Sequence, residues 1–468
     1  MRGRKGWFHS ARMFSLVTDR AFRTSTLAKV RPLNNPERQP MTRRALLLVG
    51  ILISSGMLCA ADRTVRSAPS GERSPLSPAA ALGKKIFFDA NLSASGRMAC
   101  STCHDPRYAY GPANGLAVQY GGPELKTPDY RAAPSLRYVL NYVPVWTHVQ
   151  ATNPIEQLTE ANEVPAGGYT WDGRFNTLHA QAMFPLFSPV EMDNGSAEEL
   201  AGKLSHASYA GEFRAVFGQE VFAHPAVAVN EATMAVQQFE LEDRSFHPYS
   251  SKFDAWLDGK ATLTREELRG KELFDDPNGG NCASCHLDEV GANGAHPLFT
   301  DFQFEALGVP RNNEIPWNRN PKYDDLGLCG PFRKDAASRD VSNCGLFRTP
   351  TLRNVAIRHV FFHNGEFHSL REALLFYVER DTKPGKWYPV GADGNAEKFN
   401  DVPARYRGNV DTTDAPLDRK PGDKPIWNEQ EIDDVIAFLK TLTDGDMEDK
   451  ESAAQTGPDA SSAARPKR

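Results

Sequence analysis

A mostly α fold, organised as two similar domains with long loops, is predicted by three observations in this 468-residue chain. The stretches "MACSTCHDPRYAYG" and "NCASCHLDEVG" each carry two cysteines, two spacer residues and then a histidine. The surroundings repeat as well: "LGKKIFFDANLSASGRMACSTCH" lines up with "RGKELFDDPNGGNCASCH", "APSLRYV" with "TPTLRNV", and "WDGRFNTLHAQAMFP" with "HNGEFHSLREALLFY". Helical spacing of apolar residues is clear in "SLREALLFYV", where Leu370, Leu374 and Tyr377 share a face. It recurs in "EIDDVIAFLKTL", through Ile432, Val435, Ile436, Leu439 and Leu442.

Each element has its own local signal. Ser77 with Pro78 starts the helix before the first cysteine motif, and a capping box from Thr264 to Glu267 starts its counterpart. Gly83 and Lys84 match Gly270 and Lys271 in these two segments. A second box, Asn428 to Glu431, opens the closing helix. In the third repeated stretch Trp171 falls opposite His363, Gly173 opposite Gly365, Phe175 opposite Phe367 and Leu178 opposite Leu370, so both copies read as helices entered through a glycine turn. The same register sets Pro185 opposite Tyr377. A chain with 40% hydrophobic residues can fill two cores, and we place the domains at 62–255 and 256–445, followed by a polar tail at 446–468 with a disordered composition. A net charge of -5 gives no argument for nucleic acid or a strongly charged partner.

The cysteine motifs carry the chemistry. Two cysteines spaced by two residues and followed at once by histidine suit c-type haem attachment. Cys100 with Cys103, and Cys282 with Cys285, would form thioethers to the haem vinyl groups, and His104 and His286 would bind iron on the proximal side. A thioredoxin-like pair or a zinc site would account for the cysteines, but neither explains a histidine in the same place twice. The fold class is therefore two cytochrome c-like domains, each with one covalent haem c.

Residues 1–61 read as an N-terminal extension and signal peptide. In "MTRRALLLVGILISSGMLCAADR", Arg43 and Arg44 precede an apolar run from Ala45 that ends in small residues around Ala60 and Ala61, the order of a secretory signal, with Met41 as its expected start. The run is short for a membrane span, an uncleaved anchor being the alternative. Leu58 before Cys59 argues against lipidation. Export implies a periplasmic location and leaves Cys329 and Cys344 outside the haem motifs as a candidate disulfide.

The remaining axial position decides whether a histidine-ligated haem transfers electrons or reacts with oxygen species. Methionine, the usual electron-transfer ligand, is absent between Met234 and Met447. Tyr377 is the first candidate for the haem on His286, with His363, His359 and His368 as rivals and a merely packed tyrosine as the alternative. Pro185, its counterpart, offers no donor beyond a carbonyl, which leaves the haem on His104 open to peroxide or oxygen. Glu191, six residues further on, is placed to act as the acid/base for peroxide cleavage, a surface carboxylate being the alternative.

Together "LGKKIFFD", "CSTCHDP", "YTWDGRFNTL", "SPVEM", "CASCH", "RTPTLRNV", "FFHNGEFHSLREALLFY" and "EIDDVIAFLKTL" resemble the bacterial dihaem cytochrome c peroxidases from Leu82 to Leu442. Tyrosine at Tyr377, where ordinary members have methionine, resembles the MauG and MbnH-like branch, as does "YVERDTKPGKWYP". The resemblance implies a five-coordinate, peroxide-reacting haem on His104 with Glu191 and Pro185 on its distal side. It also implies a six-coordinate haem on His286 and Tyr377, with Trp171 as the relay between them. The distal histidine that ordinary members carry before "APSL" is missing from "AVQYGGPELKTPDYRAAPSL". A calcium ion between the haems is a further implication, although Ala132 stands where an asparagine often supplies an oxygen.

The function expected is a periplasmic dihaem peroxidase that reacts with hydrogen peroxide to form a high-valent dihaem state and oxidises tyrosine or tryptophan of a partner protein. The alternative is a peroxide scavenger taking electrons from a small cytochrome c or copper protein. A pure electron carrier, with a residue such as His148 closing the first haem, belongs to another class. Trp256, Trp317, Trp387 and Trp427 include candidate surface exit points for an oxidising equivalent, a simply packed tryptophan being the commoner alternative for each.

Overall fold

The structure, a computed structural model, describes residues 75–138, 143–147 and 165–447. The expected signal segment with Cys59, the residue His148 and the tail beyond 447 lie outside the described residues. Helices and irregular loops make up the described chain, with two short antiparallel pairs, Tyr120–Gly121 with Thr127–Pro128 and Phe304–Glu305 with Phe347–Arg348. Among the described residues, no helix is long and apolar enough to cross a membrane.

Buried apolar side chains gather in two large clusters, one from Leu82 to Phe246 and the other from Phe253 to Leu442. Each is organised by a helix crossing that needs a glycine. Helix Pro78–Phe87, capped by the Ser77 hydroxyl, lies against helix Pro225–Glu242, and a Cβ on Gly83 would stand 1.8 Å from the Ala235 carbonyl oxygen. Helix Arg265–Asp275, with the Thr264–Glu267 capping box, lies against helix Glu429–Lys440, and a Cβ on Gly270 would stand 1.9 Å from the Asp434 carbonyl oxygen. Any side chain at either glycine would force the helix axes apart.

The internal repeat survives in three dimensions. Helices Leu178–Phe187 and Leu370–Glu379 begin behind the caps Thr177 and Ser369, and each is preceded by a bridge, Tyr169 with Phe175 and Phe361 with Phe367. Gly173 and Gly365 turn the chain at φ +60° within those bridges, a conformation that L side chains avoid. Cys329 and Cys344 form a disulfide, Sγ–Sγ 2.02 Å. The start of the expected tail is packed rather than free: Asp446 pairs with Arg137, Nη1 to Oδ1 2.9 Å, and Met447 is buried beside Ala109 and Ile357. An acidic residue opposite a buried arginine and an apolar residue over a gap give these positions partners that composition alone does not reveal.

Candidate active site

Each cysteine motif opens onto a cavity. The first, about 210 Å³, is lined by Cys100, Cys103 and His104, and the second, about 250 Å³, by Cys282, Cys285 and His286. All four cysteines are free thiols, and burial pushes Cys100, Cys103 and Cys282 up to about 12 and Cys285 to about 11. Among the described residues there is no cluster of three or more His, Cys, Asp or Glu able to hold a metal ion. The two histidines are oriented alike: His104 Nδ1 donates to the Tyr110 carbonyl at 3.1 Å and His286 Nδ1 to the Phe299 carbonyl at 2.9 Å. That bond makes Nε2 the lone-pair nitrogen, and burial lowers both imidazoles to about 4, keeping them neutral.

Behind His286 three successive carbonyls are held. Arg353 Nε donates to Pro297 O at 2.8 Å, Thr351 Oγ1 to Leu298 O at 2.6 Å, and His286 Nδ1 to Phe299 O. The "TPTLRNV" motif thereby fixes the loop segment that orients the imidazole. In the first half the Tyr110 ring stacks on Phe246 at 3.8 Å, and its hydroxyl lies 2.6 Å from Ser245 Oγ, fixing the carbonyl that holds His104.

Trp171 lines both cavities. Its Nε1 donates to Ala132 O at 2.9 Å and its carbonyl accepts from Arg348 N at 2.9 Å. The Ala132 carbonyl is therefore engaged by the indole.

The far walls of the cavities differ. Pro185 and Glu191 line the His104 cavity. Pro185 sits inside helix Leu178–Phe187, and its carbonyl accepts from Met192 N at 3.0 Å. Glu191 Oε2 is buried without a hydrogen-bond partner, and burial, then the charge of Asp129, hold this carboxyl well above its ordinary range. In the His286 cavity the corresponding position is Tyr377, lined up with Leu370 and Leu374 on helix Leu370–Glu379. Burial raises the phenol far above its ordinary value, and the nearness of Cys282 and Cys285 raises it further. Of the rival ligands, His368 pairs with Glu314 at 3.3 Å and His359 packs near Tyr108 with ring centroids 6.0 Å apart, both outside the cavity lining. His363 does line the cavity, but its ring is stacked on Phe347 at 3.5 Å.

The family model for di-haem cytochrome c peroxidase matches residues 77–262. The methylamine utilization protein MauG of Paracoccus denitrificans is 30% identical over 380 residues, covering 78% of this chain and 88% of that protein. The chain belongs to the di-haem cytochrome c peroxidase family. Cytochrome c551 peroxidase of Nitrosomonas europaea is 27% identical over 408 residues, 86% of this chain and 90% of the relative. The crystal structure of the diheme peroxidase BthA from Burkholderia thailandensis superposes with a TM-score of 0.71 at 39% identity, covering 81% of this chain and 88% of that one. The protein is thus a haem-dependent oxidoreductase, and its family implies two haems.

This peroxidase has the residues to receive them: two cavities, each with a pair of free thiols, a neutral oriented imidazole and apolar walls. Other residues of the His104 cavity were not singled out from sequence. Asp129, Arg174, Gln181 and Glu240 all line it. Gln181 was legible in principle, one helical turn before Pro185 on the same face. Asp129 reaches the cavity through a hairpin that no local pattern announced. Trp427, a candidate surface exit, is instead 5% exposed and lines the His286 cavity, whereas Trp387 is partly buried against Phe367 and Phe376.

Proposed function

We propose that this chain is an exported, periplasmic peroxidase of the MauG kind, which holds two covalent haems, reacts with hydrogen peroxide and oxidises tyrosine or tryptophan side chains of a partner protein. When bound, the haems supply the electrons that cleave peroxide and the oxidising equivalents passed to the partner. Cys100, Cys103, Cys282 and Cys285 would supply the thioether sulfurs, and His104 and His286 the proximal nitrogens. The observation that carries the reading is the unequal pair at one structural position, Pro185 in one cavity and Tyr377 in the other. Pro185 brings no side-chain donor to the His104 cavity, so that side of the first haem would stay free for peroxide, whereas Tyr377, beside Cys282 and Cys285, would hold the second haem's iron through its phenol oxygen.

Glu191, buried and protonated, is suited to deliver a proton to the departing peroxide oxygen. Trp171, shared by both cavities and fixed at its N–H and carbonyl, is the residue suited to electron exchange between them. A calcium ion between the haems would be held by carbonyl oxygens and water, since the described residues offer no carboxylate cluster for it. The periplasmic location rests on the signal-like segment at Arg43–Ala61.

Glu191→Gln tests the reading: the rate of reaction of the holoprotein with peroxide should fall about 100-fold or more. Unchanged kinetics would remove Glu191 from the mechanism. Steady turnover with a reduced small cytochrome or copper protein, without modification of any protein side chain, would assign the scavenging role instead.

A further inference from the structure

The wall that faces Glu191 carries a second carboxyl. Hairpin Tyr120–Gly121 with Thr127–Pro128 is seated on the Glu191 segment: Gly122 N donates to Glu191 O at 2.8 Å, and a Cβ on Gly121 would stand 2.6 Å from Glu191 Cα. Asp129 follows the hairpin directly, is tied back by its N–H to Gln119 O at 2.8 Å, and lines the same cavity as Glu191. Its Oδ1 accepts from Tyr130 N at 2.6 Å.

The cations nearby are committed elsewhere. Arg131 pairs with Asp172 at 3.0 Å and with Asp325 at 2.6 Å, and Arg174 pairs with Asp172 at 2.7 Å. The charges of Arg131 and Arg174 still lower Asp129, and that of Arg174 lowers Glu191, but burial outweighs them in both, and two neighbouring buried carboxyls do not both ionise near neutral pH. Resting on the proposed peroxide chemistry, we propose that Asp129 and Glu191 work as one acid–base pair on the open side of the His104 cavity, sharing a single proton. Burial pushes Asp129 up to about 6, and burial with the charge of Asp129 holds Glu191 well above its ordinary range. Asp129 accepts the Tyr130 N–H, which favours its carboxylate, whereas Glu191 Oε2 has no hydrogen-bond partner, so Glu191 is the acid and Asp129 the base.

The division supplies what one carboxyl cannot. Asp129 takes the proton that peroxide gives up, and Glu191 returns one to the departing oxygen, which leaves as water. One proton is held by the pair before and after, and the two electrons taken up in breaking the O–O bond come from the haems of the proposed function. The groups that bear on this titration are Glu191, Arg131, Arg174, Tyr130 and Cys103, the last of which ceases to titrate as a thioether.

The test uses the holoprotein and two readouts. In wild type, the rate of reaction with peroxide should rise with pH near 6 and fall at higher pH, with apparent values that belong to the pair. Asp129→Asn, which keeps the bond from Tyr130 N, should abolish the acid limb and slow the reaction about 100-fold at pH 7. Infrared titration of the Glu191 carboxyl, identified by its loss in Glu191→Gln, should move to lower pH in Asp129→Asn because the opposing charge is gone. An unshifted Glu191 titration, or an acid limb that survives Asp129→Asn, overturns the pair. If Glu191→Gln slows peroxide while Asp129→Asn shifts nothing, the pair fails and the proposed function stands. If Glu191→Gln leaves the rate unchanged, the pair fails together with the Glu191 assignment of the proposed function. A low-spin spectrum from the His286 side equal to wild type shows that Asp129→Asn has folded.

Discussion

Asp254→Ala probes the frame behind His286. The Asp254 carboxylate takes Arg353 Nη1 at 2.9 Å and Nη2 at 2.8 Å, receives the Ser251 hydroxyl at 2.7 Å as part of a capping box, and lies 2.7 Å from His296 Nδ1. Side-chain exposure is 0% for Arg353 and 2% for Asp254. Truncation leaves a guanidinium buried and unpaired, a loss of about 3–5 kcal/mol, and removes a cap worth of order 1 kcal/mol. For a lobe of this size the expected fall in Tm is on the order of 10–20 °C. Burial alone would raise the Asp254 carboxyl, but its bonds to Arg353 and Arg353's charge hold it below the ordinary carboxylate range. Its contribution is therefore present above that range and lost as the pH falls through the depressed value. Scanning calorimetry of the holoprotein at neutral and acid pH reads both effects. The variant should also broaden the low-spin signal of the His286 haem, because Arg353 holds Pro297, two residues from the Phe299 carbonyl. A fall in Tm under about 3 °C, the range of an exposed ion pair, would refute the reasoning.

Gly270→Ala should destabilise by about 1–3 kcal/mol, since the added carbon meets backbone at 1.9 Å. Gly202→Ala, in helix Ala197–His206 with open space around its Cβ, should stabilise by about 0.4–1 kcal/mol; chemical denaturation measures both. Burial pushes the Glu240 carboxyl up to about 8, so folding takes up a proton there and its stability contribution declines as pH rises from about 4.5 toward 8. Glu240→Gln should therefore gain stability over wild type as pH rises across that window, and a gap in Tm that stays constant with pH would contradict this.

Local chemistry was the part of the molecule that sequence exposed. The caps at Ser77, Thr264 and Asn428, the two cysteine–histidine motifs and the register that sets Pro185 opposite Tyr377 all act within a few residues, and each appears in the structure where it was expected. What stayed hidden depends on contacts between distant segments. Asp129 reaches the Glu191 pocket because Gly121 and Gly122 pack on a backbone some seventy residues away. Arg131 joins Asp172 to Asp325, and Arg353 joins Asp254 to Pro297, pairings that leave no periodic trace. Sequence left Trp427 as either packed or a surface exit; it is packed, and a Cβ at Gly280 would stand 2.2 Å from its ring. Of the three histidines near Tyr377, only His363 reaches the cavity lining, a placement that depends on the fold of distant segments.

The central claim is that two similar sites carry unequal axial positions. Electron paramagnetic resonance of the fully oxidised holoprotein, beside Tyr377→Phe, tests it most directly. The account predicts one high-spin and one low-spin haem, with only the low-spin signal altered by the substitution. Two low-spin haems indifferent to Tyr377 would contradict both the open His104 site and the tyrosine ligand.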